Sequence, residues 1–274
     1  MRFKPVSDAP ILTGTLLLLA TLLLAGQAQA WEERAEIAAL FRQHAVTGTF
    51  VLHDPQAGTD LGHHESRARR RYSPASTFKI ANSLIGVSVG AVSSVDEVLP
   101  YHATAPAFVP AWERDMSLRD AIAMSNVPIY QLLARRIGLT RMREAVQRLD
   151  YGNAATGTVV DRFWLDGPLA ISAIEQTRFL ARLARGELPA PVDAQRAVRD
   201  ILLLDSGEGW RLYGKTGWQH APGPGVGWWV GWVERGTQHH AFALNIDLHG
   251  DADAPKRVLI GRAALTALGL IDAR

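Results

Sequence analysis

Ser76 and Lys79 stand three residues apart in Ser76-Thr77-Phe78-Lys79. That spacing places a hydroxyl and an amine on one helix face, one turn apart. A lysine amine buried among apolar groups loses its proton, and can then take one from a neighbouring serine and make it a nucleophile. A helix start adds free N–H groups and partial positive charge, both suited to an oxyanion developing on a carbonyl substrate. Two further patterns carry compatible groups. Ser125-Asn126-Val127 directly precedes Pro128, which opens a helix, and Lys215-Thr216-Gly217 ends in a glycine that lets a substrate approach a strand edge. The chain has four lysines against 25 arginines, and two of the four lie in these patterns. Arginine serves wherever a permanent charge is wanted; lysine can become neutral.

Composition narrows the chemistry further. There is no cysteine, which excludes thiol nucleophiles, thiolate metal sites and disulfides. The nine histidines are scattered. The pairs His63-His64 and His239-His240 would point to opposite faces of a strand, so no metal site is expected. A net charge of +2 gives no electrostatic case for nucleic acid. Arg69-Arg70-Arg71 reads as a solvated strand end rather than a phosphate site.

Residues 1–30 have the form of a secretory signal peptide. Arg2 and Lys4 open it, an apolar run spans Ile11 to Ala25, and Ala28-Gln29-Ala30 supplies a small-x-small cleavage pattern. The run is short for a membrane span. Export to the periplasm, cleavage after Ala30 and no membrane association afterwards are expected. The remaining 244 residues suit one large or two interleaved domains.

The chemistry must be positioned by what surrounds it. Residues 32–44 are predicted as a helix with Ile37, Leu40 and Phe41 on one face. A strand follows over Thr47–His53, and a second runs from the Pro55–Gly58 turn to about Tyr72. A helix is predicted over 76–86. The middle is mostly helical: Ser117 caps one helix, Val127–Ile137 ends at Gly138, and Thr140 starts another. Ser172 and Glu175 form a capping box for a helix closed by Gly186. Strands return over Arg211–Gly217, Gly227–Glu234 and Gln238–Leu248, before a closing helix at Ala254–Leu268. The predicted fold is α/β: an antiparallel sheet flanked by N- and C-terminal helices, with an inserted all-helical domain. The expected domains are 31–75 with 207–274 (sheet) and 76–206 (helices).

In order and spacing the motifs resemble the class D serine β-lactamases, the oxacillinase type. The matching segments are Tyr72-Ser73-Pro74-Ala75-Ser76-Thr77-Phe78-Lys79, Ser125-Asn126-Val127, Tyr151-Gly152-Asn153, Phe163-Trp164-Leu165, Lys215-Thr216-Gly217-Trp218 and Trp228-Trp229-Val230-Gly231-Trp232. They cover essentially all of the chain beyond residue 30. Valine at 127 and the Tyr-Gly-Asn tripeptide favour class D over class A. The resemblance implies the fold shared by serine β-lactamases and penicillin-binding-protein transpeptidases, and hydrolysis of small-molecule β-lactams through an acylated Ser76. It implies that Lys79 reacts with carbon dioxide to give N6-carboxylysine, the general base for acylation and deacylation. Carbon dioxide or bicarbonate is then the one accessory required, with no metal or other cofactor. Trp164 would donate its indole N–H to that carbamate. Ser125, assisted by Lys215, would protonate the leaving nitrogen, and the backbone N–H groups of Ser76 and Trp218 would form the oxyanion hole. Val127, Leu165, Thr216 and Gly217 would line the substrate site, and Arg257 would pair with the substrate carboxylate. Trp112 is a candidate pocket wall, with core packing as its alternative. Read alone, Tyr151-Gly152-Asn153 is an ordinary turn, Asn126 a helix cap, and the tryptophans at 228, 229 and 232 sheet packing. Monomer and homodimer both remain open.

Two other activities share this logic: a sensor domain that is acylated without turnover, and a peptidoglycan carboxypeptidase or transpeptidase. Sensors need membrane helices to signal, and no stretch beyond residue 30 reaches that length. Intact-mass measurement of exported protein should give a chain starting at Trp31; residues 1–30 still attached would refute the cleavage.

Overall fold

A computed structural model describes residues 31–54, 58–102 and 107–273. The segment read as a signal peptide lies outside them. The chain opens with a short strand β1 (Trp31–Glu33) and helix α1 (Ala35–Gln43), whose Ile37 and Phe41 are buried as predicted. Strands β2 (Gly48–Asp54) and β3 (Thr59–His63) form the first hairpin. The second strand stops at His63, well short of Tyr72, because His64 turns into the left-handed region (φ +64) and a short helix α2 (Glu65–Ala68) follows. The Glu33 carboxylate accepts from the His64 N–H and fixes that turn. The arginine trio therefore follows a helix, not a strand: Arg69 pairs with Glu65, Arg71 with Glu175, and Arg70 lies over the Tyr72 ring.

The helix predicted over 76–86 begins as a 3-10 turn (Ala75–Phe78) and continues as α3 (Lys79–Ser88). The helical middle comprises α4 (Leu118–Ala123), α5 (Val127–Ile137), α6 (Leu139–Arg148), α7 (Ala173–Arg185) and α8 (Val192–Asp200). The Ser117 hydroxyl caps α4, the Ser172–Glu175 capping box is formed, and Gly186 ends α7 at φ +71. Strand β4 (Leu203–Gly207) was not predicted, and it straddles the boundary expected at 206/207. β5 (Trp210–Gln219), β6 (Gly225–Arg235) and β7 (Gln238–Leu248) form the meander, and α9 (Lys256–Ala267) closes the fold.

Among the described residues the strands form one sheet in the order β1-β3-β2-β7-β6-β5-β4. All neighbours are antiparallel except β1 with β3, which run parallel, so the sheet is mixed at that edge. Alternation along β6 divides the core in two. Trp228, Val230 and Trp232 face the helical middle; Trp229 and Val233 pack with Phe242, Leu244 and Ile246 under α1 and α9. All three tryptophans are buried, as sheet packing requires.

Gly152 lies in the segment between α6 and α7. Its φ is +58, and a Cβ would overlap the Ala170 carbonyl, so glycine is needed twice over. Asn153 next to it makes hydrogen bonds to Pro168 and Ala170. Gly152→Ala should destabilise by about 3 kcal/mol in denaturant unfolding. Gly90→Ala, at φ +68 with open space, should cost about 1 kcal/mol.

Candidate active site

The turn carrying Ser76 is held in an uncommon conformation. Tyr72 exchanges both backbone hydrogen bonds with Ile171, Pro74 follows, and Ala75 lies at φ +47. An L-residue there costs about 1 kcal/mol. The bend starts α3 with Ser76 half-buried and Lys79 fully buried. Lys79 Nζ lies 2.6 Å from Ser76 Oγ and 3.4 Å from Ser125 Oγ. Lys215 Nζ, from β5, lies 3.0 Å from Ser125 Oγ and donates to the Thr216 carbonyl. The four groups predicted from three separate motifs thus form one continuous chain: Ser76, Lys79, Ser125, Lys215.

Ser125 sits in the corner between α4 and α5 at φ +56. Asn126 fixes the corner: its Oδ1 accepts from the Ile129 N–H as the cap of α5, and its Nδ2 donates to the Trp112 carbonyl. Trp112 is half-buried and donates its indole N–H to the Met124 carbonyl, which places it against the segment leading to Ser125. Val127 opens α5 and is half-buried.

Burial dominates the electrostatics. Desolvation pushes the Lys79 amine well below the ordinary lysine range, and the nearby Lys215 charge pushes the same way. Lys215 is lowered to about 7, first by burial and then by Arg257. Burial lowers Arg257 to about 10, which leaves it cationic at neutral pH. Among the described residues none of these three cations has a carboxylate partner. Arg257 donates Nη1 to the Gly217 carbonyl at 2.6 Å and Nε to the Ala254 carbonyl, with its guanidinium 5.9 Å from the Trp218 ring. Its neighbours are engaged elsewhere: Lys256 pairs with Asp253 and Arg262 with Asp205.

Trp164 is fully buried in an aromatic cluster, stacked on Phe78 at 5.4 Å and edge-on to Phe163. Its indole N–H is enclosed and has no acceptor among the protein atoms. A buried donor without an acceptor is costly, and marks a position shaped for one. Leu165, next along, is half-buried. Ser73 ties this segment to the turn carrying Ser76 by donating Oγ to the Trp164 carbonyl at 2.8 Å.

Three contributors were not among the predicted site residues. The Tyr130 ring lies 5.6 Å from Lys79 Nζ. Trp228 packs as expected but also donates its indole N–H to the Ser73 carbonyl at 2.9 Å. Gln176 donates to the Thr77 hydroxyl at 2.8 Å across 99 residues of sequence. Only its capping-box neighbours gave any local signal, and that signal located the helix, not the contact.

The penicillin-binding-protein transpeptidase domain family matches residues 48–265. The β-lactamase OXA-5 of Pseudomonas aeruginosa is 37% identical over 234 residues, which cover 84% of this chain and 87% of the relative. OXA-2 of Salmonella typhimurium is 38% identical over 239 residues, 86% of this chain and 85% of the relative. Among solved structures, the class D β-lactamase FUS-1 (OXA-85) of Fusobacterium nucleatum superposes with TM-score 0.85 at 38% identity, covering 88% of this chain and all of that one. The class D β-lactamase YbXI from Nostoc superposes with TM-score 0.82 at 37% identity, covering 86% and 99%.

The Lys215 pKa of about 7 carries a stability consequence. The unfolded amine titrates near 10.4, so between those values the unfolded chain binds the extra proton and stability rises with pH. Lys215→Met removes the cost of burying that amine. It should therefore be more stable than the parent at pH 6–7, by about 2 kcal/mol, with the gain fading towards pH 10. Thermal unfolding of both proteins across that range measures the effect.

Proposed function

The chain belongs to the class D β-lactamases, and from that premise we propose that it hydrolyses β-lactam antibiotics through a Ser76 acyl-enzyme, with a carbamylated Lys79 as general base. The observation that carries the proposal is the fully buried Lys79 amine 2.6 Å from Ser76 Oγ, its pKa pushed well down by desolvation, together with a buried Trp164 N–H that lacks an acceptor. Only a neutral amine adds carbon dioxide: the nitrogen bonds to carbon, one proton leaves, and a carbamate anion results. A carbamate oxygen is the acceptor that Trp164 lacks. When present, the carbamate supplies the base for the Ser76 hydroxyl and for the deacylating water.

The chain's own groups carry the remaining roles. Ser76 Oγ bonds to the lactam carbonyl carbon and the ring C–N bond breaks. Ser125 delivers a proton to the leaving nitrogen and is resupplied by Lys215, 3.0 Å away and lowered to about 7, a value suited to exchanging protons near neutrality. The N–H groups of Ser76 and Trp218 receive the oxyanion. Arg257, free of any acidic partner among the described residues, binds the substrate carboxylate, with Thr216 and Gly217 along the strand edge. Val127, Leu165 and Trp112 border the substrate. The protein is read as periplasmic after cleavage behind Ala30; among the described residues no helix is long and apolar enough to cross a membrane.

Protonation of Lys79 in acid reverses carbamate formation. Enzyme degassed at acid pH should lose most of its turnover and recover it on addition of bicarbonate, with a carbamate resonance in carbon-13 NMR of labelled carbonate. Full activity without bicarbonate and no such resonance at any pH would leave free-amine catalysis in its place. A single stoichiometric burst with a chromogenic cephalosporin, without turnover, would instead identify an acylated receptor.

A further inference from the structure

Ala75 adopts left-handed backbone directly before the nucleophile, and alanine has no intrinsic preference for it. The turn must be held from outside. Its strongest internal tie is the Pro74 carbonyl, which accepts from both the Thr77 N–H at 3.1 Å and the Thr77 hydroxyl at 2.8 Å. A threonine hydroxyl has one proton and is free to rotate. Gln176, 1% exposed on α7, donates Nε2 into that oxygen at 2.8 Å and so leaves the proton for Pro74. α7 is itself anchored next door by the Ser172–Glu175 capping box. The opposite side of the turn rests on β5, where a Cβ at Gly217 would lie 3.0 Å from both the Pro74 carbonyl and Thr77 Cγ2.

We propose that Gln176 is a positioning residue for the reaction: by orienting the Thr77 hydroxyl onto the Pro74 carbonyl, it holds the left-handed turn that sets Ser76 against Lys79 and β5. Gln176 touches no reacting atom. It joins a helix far along the sequence to the geometry of the nucleophile, and packing alone would not require its amide. The inference rests on Ser76 being the nucleophile.

Gln176→Met keeps the volume and removes the donor. Its kcat/KM for β-lactams should fall about tenfold, and affinity for a simple arylboronic acid, which bonds to Ser76 Oγ without any β-lactam, should fall in step. Thr77→Val should cause a similar loss, Thr77→Ser should restore most of it, and Thr77→Val combined with Gln176→Met should be no worse than either alone. Gln176→Glu adds a signature that a purely structural role lacks. A protonated carboxyl still donates to Thr77, whereas a carboxylate draws the Thr77 proton away from Pro74. The ratio of variant to parent kcat/KM should therefore start near one in acid and fall at least fivefold as pH rises. Gln176→Glu combined with Thr77→Val keeps the new carboxylate and its pull on Lys79 and Lys215 but lacks the hydroxyl, so its ratio to Thr77→Val should not show this fall. The neighbouring Tyr151 hydroxyl, raised by burial, stays protonated throughout. A ratio flat with pH, or Gln176→Met within twofold of the parent in both assays, would overturn the proposal. Parent protein that binds the boronic acid but hydrolyses no β-lactam would sink the functional reading and leave this inference standing.

Discussion

Burial of the Lys79 amine is the constraint from which most of this architecture follows. An amine kept from water disfavours its own protonation, and a second cation nearby reinforces the effect. The surroundings must exclude water without offering a carboxylate, which would restore the charge. The Tyr130 ring, on α5, lies 5.6 Å from the amine, and Phe78, the residue before Lys79, is packed in a cluster with Phe163, Trp164 and Tyr151. The 3-10 turn that carries Ser76 rests on β5 and β6 while α3, which it opens, packs on α5, α6 and α8, so this segment is the seam that joins the sheet to the helical middle.

The same seam decides where each partner comes from. Lys215 arrives on β5, Ser125 from the corner between two helices, and Ser76 from a turn clamped between sheet and α7. No single element could present all four groups, since a helix offers neighbours only three or four residues apart. The inserted helices and the sheet are therefore both parts of the site. Residues such as Trp228 and Ser73 act at the joint: one indole N–H and one hydroxyl tie β6, the Ser76 turn and the Trp164 segment together.

Legibility in the sequence tracked how local each cause was. Helix limits with side-chain caps were read to the residue, as at Val127–Ile137 and the Ser172 capping box, because the cap and the helix are neighbours in sequence. β7 was also bounded correctly, since alternation and a glycine turn define it. Strand β1 was missed because three residues paired through a distant β3 leave no periodicity. The false extension of β3 to Tyr72 has the same origin: the chain turns at His64 because Glu33, 31 residues earlier, captures its N–H. Ser76, Lys79, Ser125 and Lys215 were legible as motifs. The Gln176–Thr77 contact was not, because nothing in either residue's neighbourhood names the other.

The scarcity of lysine now has a physical reading. Arginine cannot shed its proton in a protein, so it suits the ion pairs with Glu65, Glu175, Asp205 and Asp247 that hold the surface and the joints. Lysine at those positions would hold no advantage; at 79 and 215 arginine would be a permanent buried charge. The series Arg257, Lys215, Lys79 runs from a cation that keeps its charge to an amine whose protonation burial strongly disfavours, and each member depresses the next. With no acid in the series among the described residues, a substrate carboxylate bound at Arg257 as proposed would supply a counter-charge. Its arrival would ease the pressure on Lys215 and favour the protonated amine that the proposed relay through Ser125 draws on. Substrate binding and proton supply would then be coupled through a single electrostatic contact.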